Sequence, residues 1–161
     1  MSHGPRIVFT RFLSGDSPKL VPWVAHVRQV TAGRAGETAS ADLADTAIVW
    51  QLVSANNRHL ARSVAVHPSF EAAVESARGI VAASDDLEVE LVSQPSRGSY
   101  GWFATSDEGP VLSCARWYVT PRDRQHSISL ALKALRDAEL QPGVRHVHHA
   151  HEESAPELSL A

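Results

Sequence analysis

Trp50 and Trp102 lie 52 positions apart, and each opens the same succession of signals: an apolar strand, a turn, a returning strand and an amphipathic helix. At that offset Ser54 falls on Ser106, Leu60 on Leu112 and Val66 on Tyr118. Identities are few, so the correspondence lies in pattern and order. It constrains the fold because two hairpins, each followed by a helix, have few ways to bury their apolar faces together. The turns fall at Asn56-Asn57 and at Asp107-Glu108-Gly109, residue types that tolerate the positive φ of tight hairpins. Returning strands are read at 59–66 and 111–119, where Val and Leu recur.

The helix starts are well signed. Ser69 caps the first after Pro68, and Glu71 places negative charge in its first turn. Phe70, Ala73, Val74, Ala77, Ile80 and Val81 then form one apolar face at helical spacing. Thr120 caps the second helix, Pro121 suits its first position and Asp123 its third. Its stripe is Ile128, Ala131, Leu132 and Leu135, ending before Gln141-Pro142-Gly143. The fold expected is two-layer α+β, an antiparallel sheet with two helices on one face, built as tandem strand-strand-strand-helix repeats.

The flanking segments are read as additions to that frame. Residues 7–13 alternate weakly as a strand closed by Ser14-Gly15-Asp16-Ser17-Pro18. Residues 23–30 are read as a second strand, with Trp23, Ala25 and Val27 on one face and His26 and Arg28 on the other. The Ala-, Gly- and Ser-rich stretch 31–46 is a long connection, either a loop or one holding a short helix at 41–45. Residues 87–91 alternate as a strand with Leu87, Val89 and Leu91 inward, and 94–99 is a loop around Pro95 and Gly98. The chain thus divides into N-terminal strands and a loop (1–47), a first repeat (48–84), a second (85–140) and a His-rich tail (141–161). The tail is expected to be disordered, since after Gly143 core-forming pattern gives way to His, Glu, Ser and Pro.

Composition narrows the function classes. A hydrophobic fraction of 43% is ordinary for a soluble domain, and no run approaches the roughly 20 apolar residues of a membrane span. The first residues lack the apolar core of a signal peptide. The lone Cys114 excludes an internal disulfide and a Cys-based zinc finger, and cytoplasm is the expected compartment. Net charge is −3, with 13 Arg scattered and only Lys19 and Lys133 beside them. That argues against duplex nucleic acid, whose affinity draws on clustered basic residues.

Two segments carry a family resemblance: residues 50–63, Trp-Gln-Leu-Val-Ser-Ala-Asn-Asn-Arg-His-Leu-Ala-Arg-Ser, and residues 102–118, from Trp102 to Tyr118. An aromatic strand, a Gly or Asn turn, and a small-residue pattern leading to Tyr and a helix resemble the YegP-like domain, a duplicated fold of unclear biochemical role. The resemblance spans roughly 48–138 and departs from the pattern at Val66, where Tyr is expected, and at Asn57, in place of Gly. It implies the two-layer fold and carries over no catalytic residues.

A non-enzymatic role is expected. No P-loop, dinucleotide fingerprint or H-E-x-x-H occurs, and Ser54, Ser63 and Ser113 lack a strand-turn-helix elbow. No His is fixed by sequence beside Cys114 to activate its thiol. The candidate binding set is Trp50, Arg58, Arg62, Trp102, Arg116, Trp117 and Tyr118. On an exposed sheet such side chains bind a protein partner or a second copy of the chain, or stack on single-stranded bases. Strand alternation sends Trp117 and Tyr118 to opposite faces, so one points away from the helices. A homodimer or protein partner at that open face is the leading expectation, with single-stranded nucleic acid the alternative. Separately, His146, His148, His149 and His151, followed by Glu152 and Glu153, suit weak binding of Zn²⁺, Ni²⁺ or Cu²⁺. No other cofactor is expected.

Overall fold

The computed structural model describes residues 4–12, 17–32 and 47–147. The strands are β1 (Arg6–Phe12), β2 (Ala47–Val53), β3 (His59–Ser63), β4 (Glu88–Gln94), β5 (Ser99–Ser106), β6 (Gly109–Cys114) and β7 (Glu139–Val147). The helices are α1 (Leu20–Thr31), α2 (Phe70–Ala82) and α3 (Pro121–Asp137). One sheet runs β4-β5-β6-β3-β2-β1-β7, antiparallel except where β7 lies parallel to β1. The architecture is α+β, and the expected stretch 41–45 lies outside the described residues.

Strand β2 sets the layers. Ile48, Trp50 and Leu52 join Ile7, Phe9 and Leu112 beneath Ala73 and Ala77 of α2 and Ile128, Ala131 and Leu135 of α3. Ala47 and Val49, pointing the other way, pack with Leu20, Trp23, Val24 and Val27 of α1. The near-continuous apolar run of this strand therefore has cover on both faces. The two helices expected on one face are α2 and α3; α1 adds a third layer opposite them.

That layer corrects the strand reading of 23–30. Leu20, Trp23, Val24, Val27, Val30 and Thr31 are all buried, and their spacing is helical. Alternation placed Ala25 inside and left Val24 outside; Ala25 is exposed and Val24 is buried. Trp23 and Val27 satisfy both periods, which is why the pattern misled.

The two hairpin-helix segments share several hydrogen bonds at matching positions. Trp50 N donates to Ser63 Oγ at 3.1 Å, and Trp102 N to Cys114 Sγ at 3.4 Å. Ile48 exchanges both backbone bonds with His67, as Tyr100 does with Tyr118. Ser54 Oγ accepts from Asn56 N and Ser106 Oγ from Glu108 N, each at 3.2 Å. Ser69 and Thr120 cap α2 and α3, each accepting at 3.0 Å from the backbone three residues on. Even the irregularities match, since Leu60 is the extra residue in β3 against β2 and Val111 the extra one in β6 against β5. The second hairpin is one residue shorter, so the offset drops by one after the turn. Tyr118 therefore corresponds to His67 rather than Val66, and Leu60 to Val111 rather than Leu112.

Three further expectations change. The returning strands end at Ser63 and Cys114, after which the chain bends toward the helix caps. Leu91 is 57% exposed on β4, the outermost strand of the sheet. Residues 141–147, expected in a disordered tail, lie in β7 beside β1. Leu140 and Val144 pack against the core, and the ladder skips a register where Pro142 and Gly143 sit, a break that an edge strand tolerates.

Candidate functional site

The candidate binding residues divide among three places. Trp50 and Trp102 are both 0% exposed and belong to the core, so neither presents a surface. Arg62 and Trp117 lie on the α1 side. The Arg62 guanidinium stacks 4.6 Å from the Trp23 ring and donates to the Ala115 carbonyl at 2.6 Å. Trp117 Nε1 donates to Gln29 Oε1 at 3.3 Å, and its ring meets His26 edge-on. His26 Nε2 lies 2.9 Å from the Cys114 carbonyl, which can only accept, so this nitrogen carries the proton. Burial, then the Arg62 charge, lowers the His26 pKa. Trp117 and Tyr118 do meet opposite sides, although the strand ends at Cys114 and alternation is not the cause; the side expected to be open is occupied at Trp117 by α1.

Arg58, Arg116 and Tyr118 come together on the α3 side. The tip of hairpin β2–β3 is built by Ser54, whose Oγ accepts from Asn56 N and Arg58 N, with Asn57 at φ +66° completing the turn. Arg6 braces it, donating to the Ser54 carbonyl at 3.3 Å and to Asn57 Oδ1. This places Arg58 and His59 opposite α3. Along that helix Asp123, His126, Ser127 and Leu130 recur at helical spacing on the side facing the hairpin. The resulting groove, about 370 Å³, is lined by Arg58, His59, Leu60, Arg116, Tyr118, Asp123, His126, Ser127 and Leu130. It continues into a second depression of about 480 Å³ that shares Arg58, Leu60, His126 and Leu130 and extends to Lys133.

The floor of the groove is tied together by hydrogen bonds. Trp102 Nε1 donates to Ser127 Oγ at 3.0 Å, and that hydroxyl donates to Tyr118 Oη at 2.9 Å. Burial raises the Tyr118 pKa, so the phenol stays protonated. The rim is electropositive. His59 has its pKa lowered by burial first, then by the charges of Arg62, Arg145 and Arg116. Arg58 and Arg116, set against the single carboxylate of Asp123, give the lining a positive balance, the condition that attracts anions.

The site's other members, His59, Asp123 and His126, escaped the sequence reading. The α3 stripe Asp123-His126-Ser127-Leu130, one step round from Ile128-Ala131-Leu135, carried the signal for the last two. Cys114 is buried, and burial pushes its thiol up to about 11, which leaves it unreactive at neutral pH. His146 is exposed on β7; His148, His149 and His151 lie outside the described residues. Among the described residues no three His, Cys, Asp or Glu side chains gather as a metal site. No helix among them is long and apolar enough to cross a membrane.

No protein-family model matches the chain, and no curated protein does. Among solved structures it matches the solution NMR structure of yegP from E. coli, a protein of unknown function, at 12% identity and a TM-score of 0.51. The match covers 92% of this chain and 97% of that one. Likeness at such low identity establishes the fold, and the architecture of this chain is YegP-like.

Proposed function

We propose that the chain is a non-enzymatic cytoplasmic binding domain, and that the groove between hairpin β2–β3 and α3 holds a small phosphorylated ligand. The observation that carries this reading is the convergence of Arg58, His59, Arg116 and His126 on one concave surface, opposed there by Asp123 alone. They arrive from a hairpin tip, the bend after β6 and a helix. Guanidinium groups hold phosphate oxygens through paired, charge-assisted hydrogen bonds, and histidines add charge as pH falls. A groove of about 370 Å³ suits a ligand of modest size. Single-stranded nucleic acid is the less favoured occupant, since Trp50 and Trp102 lie in the core and Trp117 is turned to α1.

The test is calorimetric titration of pyrophosphate at low salt. Binding is expected to be tighter at pH 6 than at pH 8, because an anion draws a proton onto His59. The double variant Arg58→Gln, Arg116→Gln is expected to lose about tenfold or more in affinity while keeping its stability, both residues being exposed. Unchanged affinity in that variant contradicts the assignment. Retention of labelled single-stranded DNA, with no response to pyrophosphate, transfers the site to nucleic acid.

Self-association is a second reading, favoured by β4. This strand ends the sheet, and its Leu91 is 57% exposed. An open edge pairs readily with another strand. Sedimentation at micromolar concentration is expected to show a dimer that Leu91→Lys disperses; a monomer throughout removes this reading.

A further inference from the structure

Beside α2, between that helix and hairpin β5–β6, lies a single groove of about 690 Å³. By the correspondence of the halves, its His67 and Ser76 stand for Tyr118 and Ser127, which line the first depression beside α3. Its Ser106 and Ala83 stand for Ser54 and Ala134, which line the second. The two depressions beside α3 are therefore parts of one trough, and Arg58, Leu60, His126 and Leu130 line both.

The halves differ at the positions that would meet a ligand. Arg58 corresponds to Gly109, Arg116 to Ala65 and His126 to Glu75. The rim beside α2 carries Glu75, Asp107 and Glu108, with no Arg or Lys among its lining residues. The closed relay from Trp102 to Tyr118 has no match either, since Trp50 Nε1 and His67 Nε2 are buried without a hydrogen-bond partner among the described residues. Leu130 corresponds to Gly79, where a Cβ would have no neighbour within 4 Å. Packing in this fold therefore does not call for a side chain at that position. Leu130 is 36% exposed and lies off the buried stripe of Ile128, Ala131 and Leu135. With Leu60 and Ala134 it forms an apolar wall in the same trough as Arg58.

We propose that the ligand of this trough is a phosphate monoester of an alcohol with a compact apolar frame, such as an aromatic ring; the inference rests on the phosphate-binding reading above. The phosphate lies between Arg58 and Arg116, and the frame lies against Leu60, Leu130 and Ala134. Along α3, Leu130 and Ala134 stand about 6 and 12 Å beyond His126, so a six-membered ring esterified to the phosphate reaches the first of them. Such a division of labour is usual in small-molecule sites, where a few polar groups fix orientation and apolar walls hold the carbon frame.

The test is calorimetry on the full chain at low salt, with methyl phosphate, phenyl phosphate and phenol titrated separately. Phenyl phosphate is expected to bind about tenfold more tightly than methyl phosphate, because its ring leaves water for the apolar wall. Phenol alone is expected to give no measurable binding. Leu130→Ser is expected to reduce phenyl phosphate to the affinity of methyl phosphate and to leave methyl phosphate itself unchanged. Leu130→Met is expected to keep the preference. Where methyl phosphate binds, equal affinity of the two esters, phenol binding as tightly as phenyl phosphate, or a preference that survives Leu130→Ser overturns the inference alone. Failure of both esters to bind overturns the phosphate-binding reading, and the inference with it.

Discussion

The two hairpin-helix segments share hydrogen bonds at matching positions, yet the grooves beside their helices differ in charge. Beside α3 a closed relay of Trp102, Ser127 and Tyr118 underlies a rim of arginine and histidine. Beside α2 the corresponding Trp50, Ser76 and His67 leave an open relay under a rim of carboxylates. The hairpin strands, bulges and caps match, so the contrast between the two grooves lies mainly in their side chains. The lesson is that burial fixes the scaffold positions, such as the paired tryptophans, while groove positions are free to change sign. Function in this fold is therefore to be sought where the halves disagree.

The largest effects test where they agree. Trp50→Ala and Trp102→Ala are each expected to destabilise the protein by about 3–5 kcal/mol in urea denaturation, both side chains being fully buried. A surface-like cost at either position breaks the equivalence. Phenylalanine sharpens the contrast. Trp102→Phe removes one of the two hydrogen bonds of the Ser127 hydroxyl and is expected to cost about 1 kcal/mol more than Trp50→Phe, which removes a donor without a partner among the described residues. Equal costs contradict the open relay.

The helix caps come next. Ser69→Ala and Thr120→Ala are each expected to cost about 1 kcal/mol, since each hydroxyl accepts a backbone N–H at 3.0 Å. The smallest effect is on pH dependence. His26 and His67 have folded pKa values lowered from 6.5, chiefly by burial. Below 6.5 the unfolded chain binds more protons than the folded one, so stability is retained above that pH and lost as pH falls through the lowered values. His67→Tyr is expected to flatten this loss, because the half with Tyr118 has no buried histidine at that position. Denaturation at pH 7.5 and pH 5 measures both slopes.

Much of the scaffold was legible in the sequence because it rests on short-range signals. Ser69 and Thr120 announced their helices, and the Asn56-Asn57 and Gly109 turns announced their hairpins. Helix α1 was obscured because Trp23 and Val27 fit period two as well as 3.6, and only the buried Val24 against the exposed Ala25 separates them. Strand β7 was obscured by Pro142 and Gly143, which read as a terminus where the chain forms a bulged edge. Burial of Trp50 and Trp102 depended on long-range cover that no local window contains. The groove was half legible: Arg58, Arg116 and Tyr118 were singled out, but with aromatic residues that face elsewhere. What joined them to His126 is the crossing of one half's hairpin over the other half's helix.

The most direct test of the divergence is a pyrophosphate titration followed residue by residue by NMR. The amides of Arg58, His59, Arg116 and His126 are expected to shift together on one isotherm, while those of Glu75, Asp107 and Glu108 stay still. Shifts of equal size in both grooves, or none at Arg58 and Arg116, would contradict it.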